Sequence, residues 1–131
     1  MTTHLTDLPD VPRPAGPYSQ GVAAGGLLFT AGFGPQDPAT GAIAPEVGEQ
    51  TRQVLRNVLA VLAERGLTAA DILKVTVHLQ HLDRDFAAYN SAYQEFFSAP
   101  YPARTTVGSN LADILVEIDV VALDPASAVH A

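Results

Sequence analysis

Arg104 is the residue in this chain best suited to bind a small anion. It lies in the segment YPART (101–105), at the start of a short run, 105–107, that is typical of a β-strand. Pro102 restricts the backbone of the residue before it, so the approach to the arginine is stiff. A guanidinium on a stiff segment can hold a carboxylate through two parallel hydrogen bonds. The alternative interpretation is an ordinary surface ion pair.

Glu117 is the second candidate. It lies in the final apolar run, 115–123, and shares one face of the predicted strand with Asp119. A half-buried carboxylate near an arginine can orient a water molecule or transfer a proton. The alternative is a buried structural salt bridge, which would perturb the pKa of the carboxyl group as well. We interpret Asp119 as structural.

Three further residues could line a ligand site. Tyr18, in GPYSQG (16–21), lies between a Gly-Pro turn and a glycine, where a phenol can cap a pocket; packing at a strand start is the alternative. Gly32, in TAGFGP (30–35), allows close backbone approach, although plain turn formation explains it equally well. Asn90 borders the apolar stripe of the second predicted helix, where a hydrogen bond at an interface is the simpler interpretation. That stripe consists of Phe86, Tyr89, Tyr93, Phe96 and Phe97.

Other chemistries find no support in the sequence. His78 and His81 are three residues apart, but they span a strand end and a loop and have no suitably spaced third ligand, so we expect no metal site. The chain has no cysteine, which excludes disulfides and thiolate catalysis. Neither a GxSxG motif nor a Ser-His-Asp set is evident. No cofactor is predicted.

The chain length and the net charge limit the kinds of molecule that we expect this protein to bind. The 131 residues fit one domain, and 14 acidic against 7 basic residues give a net charge of −7. The scattered cations form no basic stripe, so we predict no nucleic-acid partner. No run approaches the roughly 18 apolar residues of a membrane span, and the N-terminus does not resemble a signal peptide. We therefore expect a cytoplasmic location.

Hydrophobic periodicity predicts the order ββ–α–β–α–ββ. Gly25-Gly26 is a hairpin signal between two strands, and Pro45 is expected to open the long first helix. The predicted elements are strands 18–24, 27–31, 72–79, 105–107 and 115–123, a capped turn 68–71, and helices 46–65 and 85–98. In the strand 72–79, Leu73 is expected to share a face with Val75, Val77 and Leu79.

Two helices and about five strands predict an α+β fold with both helices on one face of a single mixed sheet. The single domain is expected over 16–124, after an extended N-terminal lead-in, 1–15, and before a short tail, 125–131. The last strand is apolar on both faces, through Val116 to Ala122 on one side and Val121 and Leu123 on the other. Strands of this kind are buried on both faces, so we infer that a second subunit covers the open face of the sheet.

Taken together, these pieces resemble the Rid family of reactive intermediate deaminases (RidA/YjgF). The similarity runs from about Pro14 to Leu123, and the order and spacing of its pieces make it specific. The matching segments are GPYSQGV (16–22), LLFTAGFGPQDPATG (27–41), QTRQVLRNVLAVLAERG (50–66), DILKVTVHLQHLDRDFAAYNSAYQEFF (71–97), YPART (101–105) and VEIDVVAL (116–123).

The resemblance implies a chorismate-mutase-like fold, a homotrimer with clefts between subunits, and cofactor-independent hydrolysis of enamines and imines to 2-oxo acids and ammonia. It implies that Arg104 binds the substrate carboxylate and that Glu117 holds or activates water. Tyr18 would line the cleft, backbone groups at Gly32 and Thr106 would contact the ligand, and Asn90 corresponds to the family's helix asparagine.

The sequence also departs from the family pattern. The usual Ser-Gly-Gln reads Ala31-Gly32-Phe33, Thr106 replaces a frequent cysteine, and His78 replaces an apolar or aromatic residue. The stretch between Val107 and Glu117 is about two residues shorter than in common members. These departures leave a non-catalytic, carboxylate-binding or regulatory protein as an alternative to the deaminase. An RNA-directed role, also associated with this family, is disfavoured by the net charge of −7.

Overall fold

A computed structural model of the chain describes residues 2–129. Residue 1 of the predicted lead-in and residues 130 and 131 of the predicted tail lie outside this range. The elements in chain order are the strands β1 (Thr3–Leu5), β2 (Gly21–Ala24) and β3 (Leu27–Thr30), the helix α1 (Val47–Ala63), a 3-10 turn (Ala69–Asp71), β4 (Ile72–Leu79), the helix α2 (Leu82–Gln94), β5 (Ala103–Gly108), β6 (Val116–Leu123) and a second 3-10 turn (Pro125–Ser127).

The strands form one six-stranded sheet in the order β1-β2-β3-β6-β4-β5. All neighbouring pairs are antiparallel except β4 and β5, which are parallel and connected through α2. Both helices cover the same face of this mixed sheet, which confirms the predicted α+β architecture. The hairpin between β2 and β3 turns at Gly25 and Gly26, whose φ angles of 61° and 86° suit glycine.

The helix α1 forms because its apolar residues recur at helical spacing and bury one stripe against the sheet. Val54, Leu55, Val58, Val61 and Leu62 are fully buried. Glu49 lies in the first turn, where its negative charge interacts favourably with the positive end of the helix dipole. The helix begins at Val47 with Glu46 as the N-cap, so Pro45 precedes the helix rather than opening it.

The helix α2 starts at Leu82, three residues earlier than predicted, and ends at Gln94. Phe96 and Phe97 therefore lie beyond the helix, although both pack against the core. Phe86, predicted in the apolar stripe, is 40% exposed. Tyr89 and Tyr93 are therefore the buried aromatic residues of α2, and Asn90 lies beside them at the surface.

The strand β4 departs from simple alternation at its start. An irregularity in its pairing with β6 falls between Ile72 and Lys74, so Ile72 is buried and Leu73 is 47% exposed. The prediction that Leu73 shares the buried face was wrong, because one extra residue in a bulge reverses the side of every residue before it. Val75, Val77 and Leu79 lie in the core as predicted.

The predicted N-terminal lead-in contains a strand. β1 pairs antiparallel with β2 and adds an edge strand at the far end of the sheet from β5. Behind it, the fully buried Gln20 accepts the N–H of Leu8 at 2.9 Å and donates to the carbonyl of Pro12 at 2.9 Å. The segment between β1 and β2 is thus fixed to the body of the sheet.

The two faces of the sheet differ in their cover. The face under the helices carries Val116, Ile118, Val120 and Ala122 of β6, all buried. On the opposite face Phe29 and Leu123 are 45% and 46% exposed.

Between residues 2 and 129, no helix has the length and apolar character needed to cross a membrane.

Candidate functional site

Arg104 extends from β5 across the end of α2. Its register partner on β4 is the buried Val75, so its side chain leaves the sheet on the helix-covered face. Its Cζ lies 4.6 Å from the ring centroid of Tyr93 and 5.6 Å from that of Tyr89. Its Nη1 donates to Oδ1 of Asn90 at 2.8 Å. The guanidinium is therefore held by two aromatic faces and one amide oxygen.

None of these three contacts of Arg104 is with an anion. No carboxylate of residues 2–129 forms a salt bridge with it. Burial raises the pKa of Tyr93 to about 12, with Arg104 lowering it in part, so the phenol beneath the guanidinium stays neutral. Burial also raises the pKa of Tyr89. The positive charge on Arg104 is therefore oriented but not neutralised. The surface ion pair that the sequence left as an alternative does not form within the described residues.

Thr106 lies beside Arg104 on the same face, two residues further along β5. Its register partner Val77 is buried, and its Oγ1 lies 2.8 Å from the hydroxyl of Tyr89. A hollow of about 480 Å³ opens against Arg104 and is lined by Asn90, Tyr93, Gln94, Tyr101, Pro102 and Arg104. We call the residues that line this hollow, together with Thr106, the Arg104 surface.

Glu117 belongs to a different surface. Its neighbours Val116 and Ile118 are buried under the helices, so its side chain points to the open face of the sheet. The carboxylate lies against Gly32, where a Cβ would fall 3.0 Å from Oε2 and 3.1 Å from Cδ. Gly32 therefore makes room for the acid. Glu117 makes no salt bridge or side-chain hydrogen bond within the described residues, so the structural salt bridge considered from the sequence does not form there either.

Tyr18 lies next to Glu117 and Gly32. It is 48% exposed, and its hydroxyl accepts the backbone N–H of Ala15 at 3.0 Å. Two hollows of about 570 Å³ each include all three residues. The first, which we call the sheet hollow, extends over Phe29 and His4 on the open face. The second, the loop hollow, extends towards Arg13 and Asp37. Tyr18, Gly32 and Glu117 together are called the Glu117 surface.

The residues that depart from the family pattern differ in whether they line the site or are buried in the core. Ala31 lines the sheet hollow, so the missing serine hydroxyl would have been at the site. Phe33 is only 4% exposed and belongs to the core, and its backbone exchanges hydrogen bonds of 2.9 and 3.1 Å with Ile118. The shortened stretch also borders the site, because Ala112 and Ile114 line the loop hollow.

The structure thus brings the predicted residues together in two groups. Arg104, Thr106 and Asn90 lie on one face, and Tyr18, Gly32 and Glu117 lie on the other. Arg104 is on the edge strand β5 and Glu117 is two strands away on β6. With strands about 4.8 Å apart, the lateral separation alone is roughly 10 Å. One small carboxylate cannot contact both groups within a single copy of the chain.

Sequence reasoning missed the aromatic support of Arg104. Tyr89 and Tyr93 were interpreted only as members of an apolar stripe. The available signal was that both are tyrosines rather than phenylalanines and flank Asn90 on the helix, so their hydroxyl groups need polar partners.

Another hollow, of about 600 Å³ between the start of α2 and the end of β5, contains none of the predicted site residues.

Comparison with known proteins assigns the chain to a family. The sequence model of the family described as Endoribonuclease L-PSP matches residues 9–124. A RutC family protein of Pyrococcus horikoshii is 46% identical over 116 residues, which is 86% of this chain and 91% of that protein. A 2-iminobutanoate/2-iminopropanoate deaminase of Salmonella typhimurium is 41% identical over 119 residues, covering 87% of this chain and 92% of the relative.

Solved structures show the same fold. The YjgF gene product of Escherichia coli superposes with a TM-score of 0.86 at 36% identity, covering 92% of this chain and 98% of that one. TdcF of Escherichia coli, solved with bound serine, gives a TM-score of 0.86 at 37% identity with the same coverage. The motifs, the sheet topology and these matches agree, and the chain belongs to the Endoribonuclease L-PSP family, which is the RidA/YjgF family that its motifs resemble.

Proposed function

We propose that this protein hydrolyses reactive 2-imino acids, and the enamines that tautomerise to them, to 2-oxo acids and ammonia without a cofactor. The observation that carries the proposal is the unneutralised guanidinium of Arg104, fixed over Tyr93 and bonded to Asn90. An oriented cation on a surface hollow is suited to bind a small carboxylate. Relatives named as deaminases of 2-iminobutanoate and 2-iminopropanoate support the reaction class.

The site that does this is proposed to lie between subunits of a homotrimer. Arg104 and Glu117 leave opposite faces of one sheet, so a single ligand can reach both only if they come from different copies of the chain. The partly exposed apolar side chains Phe29 and Leu123 on the open face favour such an assembly. Light scattering should then give about three times the chain mass of 13.8 kDa.

In this arrangement Arg104 binds the substrate carboxylate and a water molecule is held by Glu117 of a neighbouring subunit. The water oxygen bonds to the electrophilic imine carbon, and Glu117 relays the released proton to the imine nitrogen, giving a carbinolamine. The hydroxyl proton then passes through Glu117 to the same nitrogen. The carbonyl forms as the C–N bond breaks, and ammonia leaves. The sum is one water consumed, with no oxidant or reductant.

The other proposed contacts position the reactants. Backbone groups at Gly32 and Thr106 are proposed to bind the carboxylate or the developing oxygen, and Tyr18 to cover the ligand from the Glu117 surface. Asn90 orients the guanidinium. The net charge of −7 makes a nucleic-acid ligand a poor competitor for this site, because phosphate backbones are attracted by clustered cations.

The test is release of ammonia from 2-iminopropionate generated in situ. The wild type should accelerate hydrolysis over buffer, and Arg104→Ala should lower kcat/KM by about thirtyfold to a thousandfold. Arg56→Ala removes an equal charge from the exposed face of α1 and should leave the rate unchanged. A wild-type rate equal to that of buffer, or full activity of Arg104→Ala, contradicts the proposal. Binding of 2-oxo acids without turnover would favour the non-catalytic alternative.

A further inference from the structure

Arg13 is a second cation beside the Glu117 surface that the proposed reaction does not use. It lines the loop hollow together with Tyr18, Gly32 and Glu117. Its side chain forms no salt bridge or hydrogen bond with any residue between 2 and 129. An exposed arginine with no ion-pair or hydrogen-bond partner in the described part of the chain, at the rim of a hollow that contains the proposed water-holding acid, is placed to contact a bound ligand.

The backbone that presents Arg13 is stiff. The residue lies between Pro12 and Pro14, and a residue before proline is confined to extended conformations. The buried amide of Gln20 binds the Pro12 carbonyl at 2.9 Å on one side. The Tyr18 hydroxyl accepts the N–H of Ala15 at 3.0 Å on the other. The backbone position of Arg13 is thus fixed relative to Tyr18, and only its side chain has to be ordered when a ligand binds.

Two carboxylates share the loop hollow and could compete for Arg13. Asp37 is turned into its own loop, where Oδ1 accepts the N–H groups of Ala39 at 2.8 Å and Thr40 at 3.1 Å. Glu117 lies against Gly32. Neither approaches the Arg13 guanidinium within salt-bridge distance. The guanidinium therefore keeps its hydrogen-bond donors for an anion that enters the hollow.

We propose that Arg13 binds a second carboxylate, at the distal end of the substrate, so that this protein prefers 2-imino acids with an acidic side chain. This inference rests on the proposed function and deepens it. The carboxylate next to the imine is bound by Arg104, and the imine carbon lies near Glu117. The remaining end of the ligand then extends into the loop hollow. A carboxylate there meets a planar donor group suited to bidentate binding, whereas a short apolar side chain gains nothing from it.

The test compares two imines and three variants. The imines of aspartate and alanine, 2-iminobutanedioate and 2-iminopropionate, are generated in situ and their hydrolysis is followed. We expect Arg13→Ala to lower kcat/KM for the dicarboxylate by about tenfold or more, as for loss of a charged hydrogen bond, and to change the monocarboxylate rate less than about twofold. Arg13→Lys should retain part of the preference, and Arg56→Ala, an equal loss of charge, should change neither rate.

Equal effects of Arg13→Ala on both imines, or no effect on either, overturn the inference while leaving the deaminase proposal intact. A wild type that hydrolyses neither imine overturns the deaminase proposal instead. In that case the same question is decided by calorimetric titration with 2-oxopentanedioate and 2-oxobutanoate. Tighter binding of the dicarboxylate that is lost in Arg13→Ala supports the second carboxylate contact, and equal affinities in wild type and variant refute it.

Discussion

Arg104 and Glu117 lie on opposite faces of the same sheet, separated by the strand β4. Arg104 lies on the same face as the buried Val75. On β6 the two neighbours of Glu117 in sequence are buried on the helix-covered face, so Glu117 itself lies on the other face. The separation follows directly from strand register, since alternate residues point to opposite sides. Any reaction that needs both side chains on one small substrate must therefore take them from two copies of the chain.

Gly32 is predicted to act through the space that it leaves for Glu117. In Gly32→Ala the new methyl carbon would lie 3.0 Å from Oε2 of the acid, and the carboxylate must move. Because the atom displaced is the end of a flexible side chain, we expect the free energy of unfolding to change by less than about 1 kcal/mol. The value of kcat should fall about tenfold or more, because the water that we propose Glu117 holds would be displaced.

A matched control for this substitution is Gly48→Ala in α1. A Cβ there meets only Arg52, at an ordinary 3.8 Å, and alanine is the better helix former. Gly48→Ala should leave activity unchanged and stability equal or slightly higher. Steady-state kinetics and thermal unfolding of the two variants decide the matter. Full activity of Gly32→Ala would show that the position of Glu117 against residue 32 is unimportant.

Asn90 is predicted to orient the Arg104 guanidinium for the substrate carboxylate. Asn90→Ala removes the 2.8 Å hydrogen bond but leaves the stacking on Tyr93, so KM should rise severalfold with a smaller change in kcat. Asn90→Asp introduces a carboxylate at the same place. The new anion competes with the substrate for the guanidinium, so KM should rise further than in the alanine variant.

The order of the two Asn90 variants is the informative result. A measurement of KM for 2-iminopropionate that ranks Asn90→Asp as equal to or better than Asn90→Ala would contradict carboxylate binding by Arg104. Tyr93→Phe serves as the control. It keeps the aromatic face under the guanidinium and removes only the hydroxyl group, so its kinetic constants should remain close to those of the wild type.

Asp119 is predicted to make stability depend on pH. Burial raises its pKa above the ordinary 3.8, and His78 and Lys74 offset part of that shift. A raised pKa means that the folded state binds the proton more tightly, so the free energy of unfolding falls as pH rises from 3.8 through the folded-state pKa. At neutral pH the charged Asp119 therefore lowers stability, and Asp119→Asn should raise the melting temperature.

The pH dependence separates this effect from a general loss of charge. The stabilisation by Asp119→Asn should shrink below pH 3.8, where the wild-type carboxyl is already protonated. Asp10→Asn makes the same change in net charge at an exposed position and should show no comparable gain at neutral pH. Thermal unfolding of the three proteins at both pH values checks the prediction. An unchanged or lower melting temperature of Asp119→Asn at neutral pH would contradict it.

Most of the fold could be predicted from local patterns, because the apolar periodicity is strong and the hairpin and helix ends carry their usual signals. In the capped turn before β4, Oδ2 of Asp71 accepts the N–H of Thr68 at 2.8 Å, as in a capping box, and β4 has the predicted limits of Ile72 and Leu79. The strand β1 could not be predicted, because Thr3–Leu5 is too short to show alternation and is ordered by pairing with β2. The bulge at Leu73 depends on the partner strand in the same way.

Contacts between distant parts of the chain were beyond the reach of sequence reasoning. Arg65 is the last residue of the first predicted helix, 46–65, and its guanidinium binds the fully buried Asp124 at 2.9 Å, 59 residues away. Likewise, the segments around Arg104 and Glu117 identified both residues as candidates without indicating that they lie on opposite faces of the sheet. Residue types predict which groups can do chemistry, whereas strand order and register determine which of them can meet.

The most direct test of a site shared between subunits is to mix two inactive variants. Arg104→Ala lacks the carboxylate clamp and Glu117→Gln lacks the water-holding acid, and each alone should be nearly inactive towards 2-iminopropionate. Equal amounts are unfolded and refolded together, beside each variant refolded alone. Random assembly makes about three quarters of the trimers mixed, and in each of these an intact Arg104 meets an intact Glu117 at one site of the three, so about a quarter of the wild-type activity should return. No recovery in an assembly shown to contain both variants would contradict a site built from neighbouring subunits.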